Sequence, residues 1–170
     1  MRRSLDSFYS LLMAGAGLAL LTAFISVMLG IIDRQLALGL RGLDAYAGYA
    51  IASALFLALP GTLQRGEHIR VTLVLAKAPP ALRAALEWWC LTAGIALTTA
   101  LAWFACRMVW VSQTTHDISQ GSDATPLWLP QIGMALGCVG LAVAFIDAAV
   151  SRWQSREFFA ATSDAAAHVE

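Results

Sequence analysis

Four long apolar runs alternate with short polar links along the chain. Residues 7–32 carry no charge over 26 positions. Further uncharged runs occupy 45–64, 88–106 and 126–146. A bilayer core about 30 Å thick needs about 20 helical residues to cross it. Each run therefore predicts one transmembrane helix, with spans at about 9–32, 45–63, 88–110 and 127–147. Arg107 interrupts the third run, but Met108-Val109-Trp110-Val111 continues it, so Arg107 is expected to snorkel toward the headgroups. No breaker lies between Pro80 and Ser112; one helix of roughly 50 Å could run that distance. Pro60-Gly61 should kink or finish the second helix, whereas Pro130 falls in the first turn of the fourth, where proline is tolerated.

The first run has a competing reading as an export signal. Arg2-Arg3 precedes it, and Ala14-Gly15-Ala16 lies within it. A signal h-region has only about 7–15 apolar residues. The run is much longer and no soluble domain follows it, so a span is expected, not a cleaved or twin-arginine signal.

The link between spans two and three, residues 64–87, departs from the pattern. It opens on the cluster Arg65-Gly66-Glu67-His68-Ile69-Arg70-Val71, turns amphipathic, and breaks at Pro79-Pro80. Leu82, Ala85, Leu86 and Trp89 recur at helical spacing. Arg83 and Glu87 are an i,i+4 pair on another face. Leu73–Ala78 and Ala81–Trp88 thus read as short interfacial helices, the alternative being a turn that extends the third span downward. The expected fold is an all-α membrane protein: one domain over 1–153 and a polar tail over 154–170.

Composition sharpens the class. Hydrophobic residues make up 59% of the 170 and charged residues 13%, against about 25% charged in soluble domains. Zero net charge and the lack of a basic stripe exclude a nucleic-acid partner. Cys90, Cys106 and Cys138 all sit in apolar runs at no metal-binding spacing and read as packing residues.

Charge distribution also gives an orientation. The two ends and the 64–87 link carry Arg2, Arg3, Arg65, Arg70, Lys77, Arg83, Arg152 and Arg156; the other two links carry Arg34, Arg41 and Arg107. The basic excess predicts that both termini and the 64–87 link are cytoplasmic. Trp88, Trp89 and Trp153 at those ends, and Trp110 and Trp128 at the opposite ends, suit the headgroup level.

No run has a central Asp, Glu, Lys, Arg or His, the groups on which a lone transporter relies in mid-membrane. His68 beside Glu67 lacks a second ligand nearby and reads as an interfacial anchor for the loop. His116-Asp117 reads as part of a solvated loop. No phosphate-cradling loop or nucleophile–base pair is present, so neither an enzyme nor a cofactor is expected. Helix-packing surface is plentiful instead. Gly133, Gly137 and Gly140 line the fourth run, and Ala50, Ala54 and Ala58 the second. Such faces let helices approach closely in lipid, either within this unit or against another membrane protein.

Four spans, ends inside, and a middle link reading R-G-E-H-I-R-V and then P-P-x-x-R resemble the small membrane subunit of tripartite ATP-independent periplasmic (TRAP) transporters, the DctQ-like family. The similarity covers roughly 11–153. Family members place an acid just before the second span, as Asp44 stands here, and a basic residue after the first, as Arg34 does. Gly61, Arg65, His68, Ile69 and Val71 match the pattern near the end of span two; Glu67 and Arg70 complete the local motif. Thr72 stands where an acid commonly follows. The resemblance implies a non-catalytic scaffold subunit in the bacterial inner membrane. Its partners would be membrane lipid, a large permease subunit and a periplasmic substrate-binding protein, importing organic acids on a sodium gradient. It implies a bracing role for Arg65, Glu67, His68, Ile69, Arg70 and Val71, and makes Asp44, Gly133, Gly137 and Gly140 candidates for packing against a partner. The alternative is a small autonomous transporter or channel, acting as a homo-oligomer through Thr22, Ser26, Thr98 and Thr99. A membrane enzyme using His68 and Glu67 is the weaker third reading.

Overall fold

The computed structural model describes residues 2–65, 79–121 and 123–154. Among these, four helices are long and apolar enough to cross a membrane. They are α1 (Arg2–Leu36), α2 (Leu43–Gln64), α3 (Pro80–Thr114) and α4 (Trp128–Trp153). At 1.5 Å per residue, the 35 residues of α1 and of α3 reach about 52 Å, well beyond a hydrocarbon core of about 30 Å.

The helix ends follow local chemistry. Arg34 lies in the last turn of α1 and Asp44 in the first turn of α2, each favourable to the helix dipole. Between them Ala37, Gly39 and Gly42 take positive φ, and the Asp33 carboxylate accepts the Leu40 N–H at 2.8 Å. Pro130 is the third residue of α4, where its missing N–H costs no helical bond.

One local expectation is corrected and another is made more definite. α2 carries Pro60 inside it and finishes one turn later at Gln64, close to the expected end at about 63. The proline ring is fully buried, so packing around it holds the helix together. Ala81–Trp88 is not a separate interfacial helix. It forms the opening turns of α3, which starts with Pro80 in its first turn and continues without a break to Thr114. Helix continuity prevails there because nothing after Pro80 interrupts the hydrogen-bond ladder. The Leu73–Ala78 segment lies outside the described residues.

The helices form a row in the order α1, α2, α4, α3. α2 and α4 pack on each other at the centre, α1 packs on α2, and α3 packs on α4. The row holds two buried clusters. Tyr9, Leu63, Leu141, Ala144 and Ala148 join α1, α2 and α4. Ala102, Ala105, Ala135, Cys138 and Ala142 join α3 to α4. The side chains are mostly small, which lets helix axes approach closely where dispersion, not water exclusion, drives association. The flanks of α1 and α3 stay exposed, with Leu11, Leu18, Phe24, Leu97, Trp103 and Phe104 facing outward.

Candidate functional site

The glycine face of α4 is filled by this chain's own second helix. A Cβ at Gly133 would lie 2.4 Å from Ser53 Oγ, and one at Gly137 2.4 Å from the Phe56 carbonyl. At Gly140 it would lie 2.6 Å from Leu12 Cδ1 and 2.9 Å from Pro60 Cγ. These three glycines therefore pack within this chain, whose own side chains and backbone occupy the space in front of each. Ala50 and Ala54 are likewise buried within the row.

Polar side chains tie the helices together at both ends. At the end where α1 starts and α4 finishes, Gln64 Nε2 donates to Asp6 Oδ1 at 2.8 Å, linking α2 to α1. The Tyr9 hydroxyl donates to Asp147 Oδ2 at 3.4 Å, linking α1 to α4. Glu87 and Arg152 form an ion pair at 2.6 Å, linking α3 to α4, and Trp88 meets Trp153 edge to face at 6.2 Å. Arg65 stands exposed at the end of α2, its N–H donating to the Gly61 carbonyl at 3.1 Å. Glu67, His68, Ile69, Arg70 and Val71 lie outside the described residues.

At the opposite end Arg34 and Asp44, the two span-flanking charges, pair at 3.3 Å while both remain exposed. Beside them the 115–127 link folds back on α2. Ile118 bridges Pro126, the Ser119 N–H donates to the Thr125 carbonyl at 2.9 Å, and the Leu127 N–H donates to the Asp117 carbonyl at 3.0 Å. Tyr49 on α2 places its hydroxyl 3.0 Å from Ser119 Oγ and 3.3 Å from Asp123 Oδ2. The Ser119 hydroxyl donates to Asp123 Oδ1 at 2.8 Å, and the Thr125 hydroxyl to the Tyr46 oxygen at 3.2 Å. Desolvation works to raise the Asp123 pKa, but hydrogen bonds from Ser119, Thr125 and the backbone outweigh it and hold the carboxyl below its usual range. The link is thus a docked cap, not the freely solvated loop its composition suggests, although His116 and Asp117 within it stand exposed. Tyr46 and Tyr49 were the readable signal: two aromatic donors one helical turn apart at the mouth of a span.

Two of the four hydroxyls expected to line an autonomous pore are engaged locally. Thr22 donates to the Leu18 carbonyl at 2.9 Å and Thr98 to the Gly94 carbonyl at 2.7 Å, bonds within a single helix.

The family model described as "Tripartite ATP-independent periplasmic transporters, DctQ component" matches residues 23–155. The chain belongs to the DctQ family. The match runs from the middle of α1 past the end of α4, so it takes in three helices whole, the capped end and the Glu87–Arg152 tie. As a DctQ component the protein is a multi-pass membrane part of a transporter and works with other TRAP components. No curated protein and no solved structure matches the chain.

Proposed function

We propose that this DctQ protein is the static scaffold subunit of a TRAP importer in the bacterial inner membrane. It pairs with a large permease subunit that carries the substrate path. A periplasmic binding protein delivers an organic acid, and a sodium gradient drives uptake. Both termini and the 64–87 link face the cytoplasm, and that link braces the complex through Arg65, Glu67, His68, Ile69, Arg70 and Val71. The capped end, with Asp44 at its rim, then faces the periplasm, toward the binding protein.

The observation that carries this reading is where the polar groups sit and what they hold. Asp6–Gln64, Tyr9–Asp147, Glu87–Arg152 and Arg34–Asp44 each join two helices. Charge placed to fasten helices at the ends suits a part that stays still. A transporter that works alone usually places ionisable or polar groups in mid-membrane. The long exposed flanks of α1 and α3 leave ample apolar surface for a membrane partner beside lipid.

Affinity purification of the tagged chain in mild detergent tests the proposal. A large multispan permease should come out with it in fixed ratio. Recovery of the chain alone, together with substrate flux by the pure chain in liposomes, would sink the scaffold reading and favour an autonomous transporter.

A further inference from the structure

A depression of about 290 Å³ opens between α3 and the start of α4 at the capped end, clear of the Tyr49–Asp123 network. Phe104, Arg107 and Met108 line it from α3, Ser112 from one turn further on, Asp117 from the link and Gln131 from α4. Two features are unusual. Ser112 is only 2% exposed, yet its hydroxyl has no hydrogen-bond partner, and neither has the Gln131 Oε1. Arg107 and Asp117 are both exposed and border the same hollow, but they are not within ion-pair distance of each other. Unpaired polar atoms buried at a membrane edge are costly, and both belong to residues that line the hollow.

The geometry points to a binding site for one aminophospholipid, whose headgroup carries a phosphate and a primary ammonium. Arg107 lies two turns before the end of α3, with Trp110, an exposed headgroup-level side chain, just beyond it. Its guanidinium takes the phosphate in charge-assisted hydrogen bonds. The ammonium turns the other way, toward the Asp117 carboxylate and the Gln131 amide oxygen, both acceptors. The Ser112 hydroxyl, which can donate or accept, faces the middle of the headgroup. Phe104, 61% exposed, and Met108, 39% exposed, continue the hollow as an apolar track for an acyl chain. A cation and an anion held apart on one wet rim, above an apolar track, match a zwitterionic lipid better than an anionic one, which Asp117 repels. The site is independent of which partner the transporter supplies.

Native mass spectrometry of the purified full chain, titrated in detergent, tests this. The probes are phosphatidylethanolamine, phosphatidylglycerol and the soluble headgroup glycerophosphoethanolamine. The wild type should retain phosphatidylethanolamine about threefold to fivefold better than phosphatidylglycerol, the scale of one partly screened ion pair. Arg107→Gln should lose retention of both lipids. Asp117→Asn, a change in an exposed link residue, should keep phosphate binding and lose the preference between them. Equal retention of the two lipids by the wild type, or an unchanged preference in Asp117→Asn, overturns the assignment. Capture of glycerophosphoethanolamine as strong as that of the lipid would make the ligand a soluble phosphate ester and overturn the lipid site.

Discussion

Gly137 of α4 lies against the main-chain carbonyl of Phe56 in α2, the carbonyl whose helical donor Pro60 lacks. Position 60 would supply the N–H to the carbonyl four residues back, and proline has none. A Cβ at Gly137 would stand 2.4 Å from both the carbon and the oxygen of that carbonyl. With glycine there, only a Cα hydrogen faces that peptide group, and the helices can approach closely. A proline on one helix and a glycine on its neighbour thus answer each other, and α2 stays helical through Pro60.

Gly137→Ala should therefore be the most damaging of the α4 glycine changes. Its new methyl meets backbone, which cannot rotate away, so α2 and α4 must separate. The expected loss is about 1–3 kcal/mol, the usual scale for overpacking. Gly140→Ala should cost less, because its nearest neighbour is the flexible end of Leu12. Thermal unfolding in detergent ranks the two; an equal or reversed order would contradict the close α2–α4 approach.

Pro60 and Gly140 should be energetically coupled. A Cβ at Gly140 would meet Pro60 Cγ at 2.9 Å, and Pro60→Ala removes that ring atom. The double variant should be less destabilised than the sum of its single variants, by a coupling of roughly 0.5–3 kcal/mol for residues in contact. A double-mutant cycle on the same unfolding signal measures it, and strict additivity would show that the two sites do not touch.

What the sequence made legible divides along physical lines. The four spans were plain because run length alone sets them. What packs around Pro60 was not, since propensity says only what proline does to an isolated helix, and Gly137 lies 77 residues away. The small-residue pattern announced close packing on α4 but not its partner; that the face meets α2 follows from the order of the row. Amphipathic spacing over Ala81–Trp88 looked interfacial because Glu87 and the tryptophans sit on polar and headgroup faces; the same spacing serves the protruding end of a long helix whose Glu87 meets Arg152. Tyr49 and Asp123 were invisible as a pair, because nothing local links residues 74 apart.

The Glu87–Arg152 tie should be worth little by itself and be sensitive to salt. Its side chains are 27% and 48% exposed respectively, so solvent screens the pair. Arg152→Ala should cost roughly 0.2–1 kcal/mol. The swapped double variant Glu87→Arg with Arg152→Glu should recover most of that loss at low salt and little at high salt. Unfolding curves at two ionic strengths provide the measurement, and a salt-independent loss would mean that packing of the Arg152 stem, not charge, carries the effect.

The cap should loosen in acid. The folded-state pKa of Asp123 is depressed, so its contribution is present above the unfolded value of about 4 and is lost as pH falls through the folded value. Amide hydrogen exchange at Ser119 and Leu127 should accelerate across that fall, while the centre of α4 stays protected. Ser119→Ala removes the hydroxyl that donates to the carboxylate and should shift the transition upward in pH. An exchange rate indifferent to pH in this window, once intrinsic chemistry is corrected for, would sink the idea.

Gly42 should be the most restrictive position in the cap. It takes φ of 82°, which L side chains rarely adopt, and a Cβ there would stand 2.5 Å from Asp123 Cβ and 3.0 Å from Asp123 Cα. Strain and collision act together, the first at about 1–3 kcal/mol by itself. Gly42→Ala must therefore push the 115–127 link off α2 and break the hydrogen bonds of Tyr49 to Ser119 and Asp123. Asp123→Gly distinguishes the two causes. It removes the colliding Cβ but leaves the positive φ at residue 42 and the Asp123 Cα, so Gly42→Ala should cost less in the Asp123→Gly background than in the wild type, but still something. Hydrogen exchange in the link and thermal unfolding, read on both variants, separate the contributions. No cost of Gly42→Ala in the Asp123→Gly background would mean that the backbone strain at Gly42 is negligible, and a cost as large as in the wild type would mean that the Asp123 side chain does not meet residue 42.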